Sequence, residues 1–143
     1  GLTAAPAIAE MVVEILRDEG MELTPKVSFV PVNPPKTVFH KLDDLGKEEL
    51  YTRNNLYGRV ICRCETVTEA EIVDAIHSCC GATTLDGVKR RTRSGMGRCQ
   101  GGFCGPRVTA ILARELGISI AEVRKDTARS CLFYEKYKGD GME

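Results

Sequence analysis

A chain of 143 residues with 43% hydrophobic side chains suits one domain, or one domain with an extension, built on an ordinary buried core. Its basic and acidic side chains balance at 20 each, so nothing in the charge recommends nucleic acid, an anionic membrane or a strongly charged substrate as partner. No apolar run approaches a membrane span and no secretory signal pattern is present, which predicts a cytoplasmic protein without a direct membrane span. The chain opens on Gly1 instead of methionine, as expected of a piece of a longer polypeptide.

In chain order, Ile8, Met11, Val12, Ile15 and Leu16 recur at the i, i+3, i+4, i+7, i+8 spacing of one helical face. They predict a helix over residues 1–20 with Pro6 in its first turn and Gly20 at its C-terminal cap. Such a face packs either on its own domain or on a segment of the parent chain. Residues 21–58 contain Pro25, Pro31, Pro34 and Pro35, which remove backbone donors and fix φ. They predict a mostly irregular connector with one helical turn near Glu48 to Tyr51.

From Arg59 onward, helix signals dominate. Thr68 and Glu71 form a capping box opening a helix striped by Ile72, Val73 and Ile76 and ended at Gly81. Thr83 is placed to cap a second helix over Leu85 and Val88. Pro106 starts a third, carrying Val108, Ile111, Leu112 and Leu116 before Gly117, and Ser119 with Glu122 marks a fourth. Strand alternation is absent. A mainly α fold follows: a small helical domain of helix-turn-helix pairs over residues 59–130, with a tail over 131–143. A unit this small gains from a metal centre.

Seven cysteines, an odd number, fit reduced thiols better than a disulfide framework. Four of them form two close pairs, Cys62 and Cys64 as C-x-C and Cys99 and Cys104 as C-x4-C, and make a candidate metal or iron–sulfur site. Both pairs lie just before predicted helix N-termini, whose free amides and partial positive charge favour an anionic cluster. Gly95, Gly97, Gly101, Gly102 and Gly105 let backbone amides approach sulfur. Zinc is the rival, since four cysteines also build a closed tetrahedral site; zinc ribbons usually present C-x2-C knuckles, and this chain has neither.

The string V-I-C-R-C-E-T-V-T-E-A-E-I, followed by G-A-T-T-L-D-G-V-K-R-R-T-R-S-G-M-G-R-C-Q-G-G-F-C-G-P-R-V, resembles the bacterioferritin-associated-ferredoxin-like 2Fe-2S domain. In particular it is similar to the version at the C-terminus of FAD-dependent, anaerobic-type glycerol-3-phosphate dehydrogenases, which shares the longer C-x4-C spacing. The resemblance runs from about Val60 to Asp126 and implies Cys62, Cys64, Cys99 and Cys104 as cluster ligands. The opening G-L-T-A-A-P-A-I-A-E resembles the last FAD-contacting turn and helix of D-amino-acid-oxidase-class enzymes, implying that Gly1, Leu2 and Thr3 contact FAD in the parent. The implied role is electron transfer: from substrate, with glycerol 3-phosphate the expected one, through FAD in an upstream domain to the 2Fe-2S cluster, then to an acceptor protein or quinone system. The fragment itself is expected to hold no catalytic residue. The alternative is a structural zinc module that docks a partner without redox activity.

Lys89, Arg90, Arg91, Arg93 and Arg98 form a basic run without interleaved aromatics, which disfavours nucleic acid and fits charge compensation of a cluster together with partner docking. Cys79 and Cys80 are expected as small buried hydrophobes and Cys131 as a free thiol. His77 is expected as an ordinary helix-face histidine, and His40 carries no visible role. No Ser/His/Asp set or phosphate loop is present.

Overall fold

The computed structural model describes residues 1–32 and 35–133 and divides into two compact units, Gly1–Pro35 and Lys36–Glu143. Pro34 and residues 134–143 of the expected tail lie outside the described residues.

In the first unit, α1 (Ala5–Asp18) forms where the apolar spacing predicts it, with Pro6 in its first turn. It ends in a Schellman motif: Gly20, at φ +83°, donates to the Arg17 carbonyl at 2.9 Å, and Met21 donates to that of Leu16 at 2.9 Å. Its apolar stripe is exposed, with Met11 at 51% and Ile15 at 49% of full accessibility.

The second unit begins with a 3-10 turn at Phe39–Lys41 and α2 (Asp44–Arg53), where the sequence suggested a single turn. The Asp43 carboxylate caps α2 by accepting from the Gly46 amide at 2.9 Å. A 3-10 turn at Asn55–Gly58 follows, and Tyr57 is buried, its hydroxyl donating to Asp74 at 3.2 Å. A short antiparallel pair comes next, β1 (Val60–Cys62) and β2 (Val67–Thr68), with Val60 opposite Thr68 and Cys62 opposite Val67 across an irregular register. These strands are too short for alternation to reveal them in sequence.

Three helices complete the unit: α3 (Glu69–His77), α4 (Leu85–Thr92) and α5 (Gly105–Leu116). The Thr68–Glu71 capping box opens α3 as expected. Thr84, not Thr83, caps α4, because its hydroxyl is the one that accepts from the Gly87 amide, at 3.0 Å. The expected fourth helix is a single 3-10 turn at Ile120–Glu122, still held by the Ser119–Glu122 box. The mainly α fold is therefore correct. Its core joins Ile72 and Ile76 of α3, Val88 of α4, Ile111 and Leu112 of α5, and Val123. Complete burial of each such side chain contributes about 1.5–3 kcal/mol, and both Cys62 and Cys104 belong to the same cluster.

Two polar links tie α3 to α5. The Glu69 carboxylate, 5% exposed, accepts from Arg114 at 2.7 Å and from Arg59 at 3.3 Å. His77 meets Glu115 at 2.7 Å, and that contact, with Arg114 beside it, holds the Glu115 carboxyl below its ordinary pKa. Among the described residues, no helix is long and apolar enough to cross a membrane.

Candidate metal centre

The four cysteines arrive from two loops. Cys62 ends β1 and is buried; Cys64 lies two residues on, exposed in the turn toward β2. Cys99 sits in the glycine-rich loop between α4 and α5, and Cys104 occupies the N-cap position of α5, buried, directly before Gly105 and Pro106. The loops converge: the sulfurs of Cys64 and Cys99 are 3.7 Å apart, although 35 positions separate them in the chain. This matches the edge of about 3.8 Å between two sulfurs on one tetrahedral metal with bonds near 2.3 Å. The Cys104 thiol in turn interacts with that of Cys62 and feels the charge of Cys99.

Among the described residues, no group of three or more His, Cys, Asp or Glu side chains closes around a single ion. Cys64 and Cys99 approach each other, while Cys62 and Cys104 share the buried core cluster. That pattern suits two metals taking two thiolates each better than one metal taking four.

The thiols experience opposite fields. Backbone amides of Phe103, then the Cys64 thiol, then the amide of Gly101 favour the Cys99 thiolate and lower its pKa. Burial raises that of Cys104, reinforced by the neighbouring Cys62. An anionic thiolate centre is therefore stabilised by amides on its open side and walled by the core on the other.

Loop shape depends on backbone that ordinary residues avoid. Gly95 and Gly101 adopt φ +90° and +87°, and Arg93 and Gln100 take φ 70° and 48°. Gln100 is locked by its side-chain amide, which donates to the carbonyls of Met96 and Gly97 at 3.1 and 3.0 Å. Gly97 is required for another reason: a Cβ there would stand 2.1 Å from Cys64 Cβ and 3.3 Å from its sulfur. The missing side chain is the space in which the two cysteine loops meet.

The basic run is largely spent inside the domain. Arg93 donates to Glu65 at 2.8 Å, stapling the segment before the glycine loop to the residue after Cys64. Arg90 binds Asp126 at 2.6 Å and lowers the pKa of that carboxyl, while Arg91 donates to the carbonyls of Cys80 and Gly87. Lys89 is half-buried beside the loop and Arg98 is exposed. Cys79 and Cys80 are exposed, correcting the expectation of buried thiols: α3 stops at His77, so both fall in a surface turn. His77 is the expected helix-face histidine, engaged with Glu115. Gly1, Leu2 and Thr3 are exposed ahead of α1 in the first unit.

One residue of the site carried no sequence signal. Ser94, buried beside Cys104, is a serine in a glycine-rich loop and resembles a linker residue until coordinates place it.

Residues 60–114 match the family of BFD-like 2Fe-2S binding domains. The chain is 50% identical over 126 residues to a glycerol 3-phosphate dehydrogenase of Caloramator mitchellensis, covering 88% of this chain and 26% of that protein. It is 38% identical over 81 residues to the anaerobic glycerol-3-phosphate dehydrogenase subunit A1 of Haloferax volcanii, covering 57% of this chain and 13% of that protein. A 59-residue stretch is 44% identical to the hydrogen cyanide synthase subunit HcnB of Pseudomonas aeruginosa, covering 38% of this chain and 12% of that protein. The chain thus spans about a quarter or less of the length of these relatives. No solved structure matches.

Proposed function

We propose, from the match of residues 60–114 to the family of BFD-like 2Fe-2S binding domains, that Cys62, Cys64, Cys99 and Cys104 hold a 2Fe-2S cluster in the electron-transfer part of a flavin-dependent dehydrogenase. The convergence of the two cysteine loops, with Cys64 and Cys99 sulfurs at 3.7 Å, carries this reading. When bound, such a cluster supplies reversible one-electron acceptance at a potential set by charge and hydrogen bonds around its sulfurs.

The protein's part is positioning and electrostatics. Amides of Phe103 and Gly101 stabilise charge on Cys99, Gly97 admits Cys64, the Arg93–Glu65 pair holds the loops together, and the core behind Cys62 and Cys104 keeps water from that side. In the parent enzyme, FAD in an upstream domain is the proposed donor, with Gly1, Leu2 and Thr3 at its edge, and a protein or quinone system the acceptor. Glycerol 3-phosphate is the proposed substrate because the two dehydrogenase relatives carry that name. The exposed thiol of Cys64 and the half-buried Cys99 beside it would give an electron a short path to a partner.

Single Cys→Ser substitutions test the ligand set. After anaerobic reconstitution of the full chain, C62S, C64S, C99S and C104S are each expected to lose the visible absorption and the reduced-state EPR signal, while C79S, C80S and C131S retain both. A normal signal from any of the first four removes that residue from the set and with it the proposed site.

A further inference from the structure

Ser94 is 4% exposed, and its hydroxyl forms no hydrogen bond with any described group. Buried hydroxyls ordinarily find partners, because an unpaired one has lost its water for nothing. The backbone around it is constrained to keep it there: Arg93 before it and Gly95 after it both adopt positive φ, and its own amide donates to Thr92 Oγ1 at 3.2 Å. The left-handed Arg93 is held by its amide, which donates to the Lys89 carbonyl at 2.9 Å, and by its ion pair with Glu65.

Ser94 and Cys104 line the same cavity of ≈ 70 Å³, together with Gly95, Gln100 and Gly101. A thiol already carrying its proton is a poor acceptor, whereas a metal-bound thiolate is a strong one. The orphaned hydroxyl therefore has a natural partner once Cys104 is a ligand.

We propose that Ser94 is a positioning residue whose hydroxyl donates to the Cys104 sulfur of the cluster and raises the cluster's reduction potential; this rests on the proposed 2Fe-2S reading. A donor onto a ligand sulfur stabilises the more negative, reduced state more than the oxidised one. Removal of the hydroxyl should thus make the cluster harder to reduce. Threonine keeps the hydroxyl while changing the packing around it.

The test is an EPR-monitored redox titration of reconstituted full-length wild type, S94A and S94T. The expected result is a lower midpoint potential for S94A and a near wild-type value for S94T. An unchanged potential in S94A overturns the assignment, as does an S94T shift as large as that of S94A, which would trace the effect to packing. Should S94A not retain a cluster, S94G, which removes the hydroxyl without adding volume, is read by the same criterion. A wild-type chain that assembles no cluster overturns the underlying reading and the Ser94 assignment together, whereas a wild-type cluster whose potential ignores residue 94 overturns only the latter.

Discussion

Gly97 is the most restrictive residue of the site. With Cβ-to-Cβ separation of only 2.1 Å available against Cys64, any side chain must drive the two loops apart. G97A is expected to abolish cluster uptake while leaving the helical circular-dichroism spectrum near wild type, because residue 97 lies outside α3, α4 and α5. A G97A protein that takes up iron and sulfide normally would show that the loops need not meet as described. The close cysteine pairs and the glycines among them were readable in the sequence as a candidate site, since thiolate ligation demands those residue types in close pairs. Ser94 was not, because its role arises from burial and an unpaired hydroxyl, neither of which a serine among glycines reveals. Cys79 and Cys80 misled for a related reason: their exposure depends on α3 ending at His77, two residues ahead of them.

At the scale of elements, the capping residue Thr68 joins the cysteine hairpin to α3. It is fully buried; its hydroxyl caps the Glu71 amide at 3.4 Å and donates to the Glu71 carboxylate at 2.8 Å, which also accepts the Thr68 amide at 2.8 Å and the Phe39 amide at 3.1 Å. T68A is expected to cost about 1 kcal/mol, the usual loss of an N-cap, in chemical denaturation of the full chain. T68S should recover most of it; no loss in T68A would contradict the capping role. Helices α1, α3, α4 and α5 were legible because an apolar stripe and a terminal signal agree in each. The capping site of α4 slipped by one residue, as adjacent threonines are equivalent until geometry chooses. α2 was reduced to one turn in the sequence reading because Leu45, Leu50 and Tyr51 give it no one-sided stripe, and Leu45 and Tyr51 are exposed. The β1–β2 pair escaped notice through shortness, and its importance is positional: it delivers Cys62 to the core and Cys64 to the surface.

At the scale of the whole molecule, the second unit has a modest core around Ile72, Val88, Leu112 and Val123, and Cys62 and Cys104, one from each cysteine loop, both belong to it. A bound centre would cross-link the β1 turn to the start of α5, coupling cluster binding to the stability of the fold. The same arrangement leaves one edge of the site open between Cys64 and Cys99, as the proposed electron exchange with a partner would require, and walls the other with apolar side chains. The account therefore stands on the nature of the group the quartet holds. The most direct test is metal and acid-labile sulfide analysis, with EPR of the dithionite-reduced sample, on the full chain after anaerobic reconstitution with iron, sulfide and zinc supplied together. The account predicts about two irons and two sulfides per chain with the EPR signal of a reduced 2Fe-2S centre; a chain that takes up one zinc, holds no sulfide and stays EPR-silent would contradict it.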